Sequence, residues 1–556
     1  MGAVRRAVRA TVAAVAAAVL VALVLAVARH ARPGRAHTTG PGPVQQASRT
    51  NQPVPVDVTV RAGAKPTAVP RSFLGLSTEY WTLPIAERYI ALDGRVLSLL
   101  HVPGDGPIVL RIGGDSADHT FYDLRIRRAP HWAFGLTPAY VTHTARLVRE
   151  LRLHVILDLN LATAAPRLDG LAVQRTMGAI PSKSVIGFEI GNEPDLYRLS
   201  VSALEGADDP VGLRILPRVV TPGDYARDFD AYAGVLSRVA PGIPLLGPAL
   251  ADPKGHLSWI SSLLAHPHPG LGGITAHRYP YSACASPGSP RYPTIGRVLS
   301  EQATAGMAQT VRPAVVLAHR AGLPFRLTEF NSVTCGGVAG VSNTFATALW
   351  APDAAFELLR ARAQAIFLHA RQYAINDPFT FDARGLRVRP LFYGLILFAR
   401  TLGPSAQLVP VEWKPTHSAH LKAWAVKVRT DTLHVLVLNK GPTPLSLGLD
   451  LPATRPATVQ RLLAPSVTSR SGVTFGGRHL DAAGRWVGKS RQETVTPRAH
   501  RYSVELPRFS GALVTVSMAP ASLGPDGRSP CSSSSPMAQA SCTRLRTPSL
   551  RNTLRR

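Results

Sequence analysis

The stretch Phe188-Glu-Ile-Gly-Asn-Glu-Pro-Asp195 decides how this chain is read. Residues 185–190 form a short apolar run, the pattern of a strand buried on both faces. Gly191 ends the run, and Pro194 forbids its continuation. Asn192 and Glu193 therefore fall just past the carboxyl end of a buried strand. In a β/α barrel that rim is where chemistry is assembled. A Glu there suits general acid/base work, with Asn192 beside it placed to touch a substrate hydroxyl. The plain alternative is an exposed Glu in a turn.

Working outward, similar apolar runs recur at 73–76, 108–112, 154–159, 244–247, 273–277, 325–328 and 365–369. Helical patterns lie between them, as at 137–151, 225–239 and 344–364. Strand alternating with helix around eight runs predicts an α/β chain with a (β/α)8 TIM barrel over 71–402. After a helix at 391–402 the grammar changes. Strand candidates at 421–428, 432–439, 445–451, 457–463 and 513–517 are separated by Gly, Pro and Asp, which predicts a β-sandwich over 403–518. An early strand in 53–70 is expected to pair into that sandwich.

Polar residues collect where the barrel strands end: Ser77, Thr78 and Glu79; Asp115 and Ser116; Asn160; Asn192 and Glu193; His277, Arg278 and Tyr279; Glu329 and Asn331. One such residue could be turn chemistry or a helix cap; all of them on one rim points to a site. Strands four and seven lie across the barrel from each other, so Glu193 and Glu329 face one another. Cleavage of a glycoside through an oxocarbenium-like transition state needs such a pair. One carboxylic acid protonates the leaving oxygen and a second carboxylate acts as nucleophile or base. Tyr279 is placed to hydrogen-bond Glu329 and keep it ionised. His277 reads equally well as a core residue.

Several ordered motifs carry a family resemblance: Arg111-Ile-Gly-Gly-Asp-Ser-Ala-Asp118, Glu189-Ile-Gly-Asn-Glu-Pro-Asp195, His277-Arg-Tyr-Pro280, Thr328-Glu-Phe-Asn-Ser332 and Val341-Ser-Asn-Thr-Phe-Ala346. Together they resemble glycoside hydrolase family 79, the β-glucuronidases and heparanases, with wording closer to the microbial glucuronidases. The resemblance implies a retaining mechanism, with Glu193 as acid/base and Glu329 as nucleophile. It implies that Gly336, Gly337 and Tyr373 hold a uronate carboxylate, and that Glu79, Asp115, Asn192 and Tyr279 bind sugar hydroxyls or orient the carboxylates. Neutral donors at the uronate avoid a positive charge that would lower the pKa of both catalytic carboxylates. Asn343 departs from the Ser-Asp-Thr that relatives carry at this point. Two alternatives stand beside an exported β-glucuronidase: an endo-acting glycanase on acidic polysaccharide, and a polysaccharide-binding protein without catalysis.

The chain has 556 residues, 45% of them hydrophobic and 17% charged. Its 62 Lys and Arg against 34 Asp and Glu give a net charge of +28. No nucleic-acid motif accompanies that charge, and the family resemblance implies a glucuronide-containing glycan or glycoside as the partner. Nothing suggests a metal or an organic cofactor. Arg5, Arg6 and Arg9 precede an uncharged apolar run at 10–28, the order of an export signal. Residues 1–32 are expected to be a cleaved signal or a membrane anchor, followed by a flexible linker at 33–52. Either way the protein is secreted, or anchored with its folded part outside the cytoplasm. Residues 519–556 read as a basic, disordered tail holding Cys531 and Cys542. Cys284 and Cys335 follow the rims of strands six and seven, and in an exported protein they are expected to be bonded.

Overall fold

The structure is a computed structural model that describes residues 52–102, 104–122, 133–197, 220–414, 420–429 and 431–518. The expected export segment, the linker to residue 51 and the tail from 519 with Cys531 and Cys542 lie outside the described residues.

Eight parallel strands close into a barrel in chain order: β1 Leu74–Glu79, β2 Val109–Gly113, β3 His154–Leu159, β4 Val185–Ile190, β5 Leu245–Leu250, β6 Leu271–Arg278, β7 Phe325–Phe330 and β8 Ala365–His369. β8 pairs with β1, His369 opposite Ser77, so the sheet has no open edge. The strands are buried almost throughout, because one set of side chains fills the barrel and the other lies under helices. The eight apolar runs read from the sequence are these strands. β1, β6 and β7 run further than hydrophobicity alone indicates. Their polar ends stay in the sheet, as where Glu79 pairs with Gly113 and Arg278 with Phe330. A register shift between Ala276 and His277 brings His277 opposite Glu329.

Local chemistry starts the outer helices. Helix Pro222–Val239 opens with a reciprocal cap: the Asp224 N–H donates to the Thr221 hydroxyl at 3.1 Å, and the Thr221 N–H donates to the Asp224 carboxylate at 3.0 Å. Two helices, α1 Phe345–Arg360 and α2 Pro390–Thr401, are buried nearly all round. They pack on the barrel with one face and under the β-domain with the other.

Among the described residues that domain is built on two main sheets, with a small hairpin of His479–Leu480 and Trp486–Val487 beside them. The larger contains β9 Leu421–Val428, β10 Thr432–Asn439, β12 Ala457–Leu463 and β14 Ser510–Ser517. The smaller contains β11 Leu445–Asp450 and β13 Arg501–Leu506, and it holds strand Val54–Val60 between Val411–Trp413 and β11. Val56 and Val58 lie opposite Leu447 and Leu449 in parallel register. β9 is apolar on both faces for a reason: Ala423 and Ala425 point into the sandwich core, while Trp424 and Val426 join the barrel core. The sequence reading has no strand over 501–506. There Tyr502, Val504 and Leu506 face in and Arg501, Ser503 and Glu505 face out, a pattern that burial resolves more readily than composition.

Candidate active site

Arg111 lies inside β2, between Leu110 and Ile112 in the chain, and is fully buried. An unpaired guanidinium there would be very costly, so it must find acceptors. It finds five: Glu189 from Nε at 2.7 Å, Ser77 (3.3 Å) and Glu329 (3.0 Å) from Nη1, and Asp158 (2.8 Å) and Asn192 (3.0 Å) from Nη2. The strands β1, β2, β3, β4 and β7 are thereby joined beneath the rim.

Glu329 ends β7. Its other oxygen accepts from the Tyr279 hydroxyl at 2.5 Å, and His369 Nδ1 lies 3.3 Å away. Burial alone would raise its pKa. The charges of His369, His277 and Arg111 and the Tyr279 hydrogen bond outweigh burial and bring it down to about 2. Glu193 lies at the end of β4 with left-handed backbone (φ 47°), and its N–H donates to the Ala249 carbonyl at 3.1 Å. Its carboxylate meets His277 Nδ1 at 3.0 Å, and the side chain is 21% exposed. Burial raises its pKa despite the histidine. Arg111 therefore acts on one carboxylate and leaves the other to bind a proton. Glu193, His277 and Glu329 each present a polar atom within 4.8 Å of the others, so the two carboxylates face each other at close range.

Around this pair the rim supplies further groups. Glu79 is fully buried and accepts the Ser116 N–H at 2.8 Å. Gly114, at φ +70°, makes room for it: a Cβ there would fall 2.6 Å from the Glu79 carboxylate. Glu79 Oε1 and His369 Nε2 are 3.3 Å apart, and neither completes a hydrogen bond within the described residues. Burial lowers the His369 pKa, but Glu329, Glu79 and Asp115 raise it to about 9. Asp115 opens to solvent at residue level; enclosure in the cleft and the negative charge of Glu79, Glu193 and Glu329 raise its pKa.

The loops after β6 and β7 are tied by a disulfide between Cys284 and Cys335 (S–S 2.14 Å, Cα–Cα 5.9 Å). Cys335, Gly336 and Gly337 follow one another at φ 56°, 75° and 85°. The Gly336 carbonyl accepts the N–H groups of Ile375 (2.8 Å) and Asn376 (3.2 Å), which fastens this turn to the loop after β8. The two glycines differ. Gly336 has open space beside it, whereas a Cβ on Gly337 would meet Ser342 and Asn376 within 2.9 Å. The Gly337 N–H makes a long hydrogen bond to the Thr334 carbonyl at 3.4 Å, so Gly337 is the more tightly packed of the two. Tyr373 is 63% exposed at φ 70°, its hydroxyl 3.3 Å from the Phe381 carbonyl.

Glu79, Asn192, Glu193, Tyr279 and Glu329 are thus joined through shared hydrogen bonds and charges. Gly336 and Tyr373 lie in neighbouring loops, and their hydrogen bonds among the described residues go to Ile375, Asn376 and Phe381. Sequence reasoning passed over Arg111, Glu189, Asp158 and His369. The signal for Arg111 was a lone charge in the apolar run Val109-Leu-Arg-Ile112.

No family model and no curated protein matches the chain. Solved structures do. The chain is similar to a 4-O-α-L-rhamnosyl-β-D-glucuronidase from Fusarium oxysporum 12S in complex with Rha-GlcA. The TM-score is 0.66 at 17% identity, over 83% of this chain and 100% of that one. It is similar to a family 51 arabinofuranosidase from Xanthomonas axonopodis pv. citri (TM-score 0.60, 14% identity, 83% and 99% covered). It is also similar to a family 44 endoglucanase from Clostridium thermocellum (TM-score 0.55, 12% identity, 83% and 99% covered). The chain shares its fold with TIM-barrel glycoside hydrolases.

Proposed function

We propose that the protein is an exported retaining glycosidase that removes β-linked glucuronic acid, with Glu329 as nucleophile and Glu193 as acid/base. The observation that carries this reading is one pair of facing carboxylates with polar atoms within 4.8 Å and opposite protonation tendencies. Retaining enzymes hold their carboxyl groups about 5–5.5 Å apart and inverting enzymes about 6.5–9.5 Å. Glu329 attacks the anomeric carbon while Glu193 gives its proton to the departing oxygen. Glu193 then takes a proton from the water that breaks the Glu329 ester, restoring both groups. Glu79 and His369, paired with each other at 3.3 Å on the rim, suit sugar hydroxyls.

A uronate is favoured by the Cys335–Gly337 turn, where a Gly336 N–H and the Tyr373 hydroxyl can replace water around the C6 carboxylate without adding positive charge. The glucuronidase among the similar folds supports it. Export is supported by the basic-then-apolar beginning of the sequence and by the disulfide. A panel of aryl β-glycosides differing only at C6 tests the proposal. The glucuronide should be cleaved far faster than the glucoside. Equal rates would overturn the uronate reading, and no cleavage of any member would overturn the glycosidase reading.

A further inference from the structure

Glu189 belongs to the motif that organises the barrel, yet the double displacement does not use it. It sits on β4, four residues before Glu193 and fully buried. One of its oxygens accepts Arg111 Nε at 2.7 Å, and the other accepts the Thr328 hydroxyl at 2.7 Å. Thr328 immediately precedes Glu329 on β7. A short chain of hydrogen bonds therefore starts and ends on the β7 strand end: Thr328 to Glu189, Glu189 to Arg111, Arg111 to Glu329.

The geometry of that chain has a consequence. A guanidinium is planar, so holding Nε fixes the direction of both Nη groups. With Nε bound to Glu189 and Nη2 bound to Asp158, one Nη1 hydrogen must point at Glu329 and one Nη2 hydrogen at Asn192. Resting on the assignment of Glu329 as nucleophile, we propose that Glu189 is a positioning residue that aims Arg111 at Glu329. It acts through Arg111 and does not touch the substrate. Asp158 alone cannot do this, because a guanidinium anchored only at Nη2 can pivot about that contact.

Several groups share the field at Glu329. Arg111 reaches it from β2, His277 and Tyr279 from the end of β6, and His369 from β8. Glu79 on β1, Asp115 after β2 and Glu193 after β4 add negative charge around it. Glu189 itself faces Arg111, Asp158 and, from β7, Arg326. Removing the aim of Arg111 leaves the other groups in place, so its effect on Glu329 is separable from theirs.

The test compares two replacements of similar length, Glu189→Gln and Glu189→Met, on an aryl β-glucuronide whose phenolate leaves without protonation. Gln can still accept Arg111 Nε, and its amide can donate to Thr328. Met can do neither. Glu189→Met should lower kcat/KM at least tenfold and move its acid limb up by about one pH unit, the displacement produced by a tenfold weaker hold on the Glu329 carboxylate. Glu189→Gln should leave the limb at or below its wild-type position. The losses should be equal on good and poor leaving groups, since the acid/base is untouched. If Met and Gln variants share the wild-type acid limb, the proposal is overturned, even where both lose activity. Should Glu189→Met not fold, Thr328→Val removes the second anchor of Glu189 without changing any charge. It should raise the limb in the same direction by less, and an unmoved limb there also overturns the proposal. A wild type inactive on every glycoside would instead reject the assignment of Glu329.

Discussion

Two clusters of buried charge use the same ingredients to opposite ends. At the seam between the domains, Lys440 from the β-domain reaches Asp353 of α1 at 2.7 Å. Lys422 reaches Glu357 and Glu301 at 2.8 Å each. Trp424 donates to Asp353 at 3.3 Å and stacks on Phe356 with centroids 5.2 Å apart. Burial would raise the Asp353 pKa, but the two lysines hold it below its ordinary value. At the barrel mouth, one arginine serves Glu189, Asp158 and Glu329. Its hydrogen bonds go to Glu329 and not to Glu193, whose pKa rises; Glu79 and His369 pair with each other at 3.3 Å, and His277 Nε2 has no hydrogen-bond partner among the described residues. The seam pairs its two lysines with acids that match them; the mouth gathers Glu79, Asp115, Glu193 and Glu329 with histidines around a single arginine. That difference is what the proposed function draws on.

The largest effects should come from breaking the asymmetry of the two carboxylates. Glu329→Gln should abolish measurable turnover of every aryl glycoside, because no glycosyl ester can form. Glu193→Gln should slow poor leaving groups by roughly 10²–10⁴-fold while sparing dinitrophenolate, which needs no proton. Equal losses on both would mean that the roles are misassigned. Proton NMR of the first-formed sugar should show the β anomer; an α product would mean inversion.

At the seam, Asp353→Leu leaves two buried ammonium groups short of a counter-charge. It should cost about 3–5 kcal/mol in urea unfolding, with kcat/KM per folded molecule unchanged. A variant that stays stable but loses activity would show that the clusters are not separable as described.

Between these lies Tyr373→Phe. Hydrogen bonds to a charged group contribute roughly 1.5–3 kcal/mol, so the change should reduce kcat/KM on a β-glucuronide about ten- to a hundredfold. The matching β-glucoside should be affected much less.

pH sharpens the contrast with smaller effects. Glu329 has a depressed folded pKa of about 2. Its contribution to stability is therefore present above its unfolded value of roughly 4.3 and is lost as pH falls toward about 2. Glu193 has a raised folded pKa. Its contribution is present below the unfolded value and is lost as pH rises through the folded one. Unfolding of Glu329→Gln and Glu193→Gln across acid pH should show opposite slopes relative to wild type. Smallest of all, replacing both Cys284 and Cys335 by Ser should lower kcat/KM on the glucuronide by less than Tyr373→Phe does. Non-reducing peptide maps of the wild type should recover the two cysteines in one linked species.

The barrel was legible because its evidence is periodic and local. Eight apolar runs separated by helical patterns identify buried parallel strands, and Gly191 and Pro194 mark where β4 must stop. Glu193 and Glu329 were legible for the same reason, as acids that follow apolar strands. By itself the sequence also determined that 421–428 is a strand, without saying what covers its two faces. Tertiary structure alone decided that Arg111 binds Glu329 and not Glu193, that Gly337 packs while Gly336 stays open, and that His369 joins Glu79 to Glu329. Each of these depends on which way a side chain or N–H points after the sheet has closed. Strand periodicity specifies a face of the sheet. Hydrogen-bond partners depend on register and stagger between strands far apart in the chain.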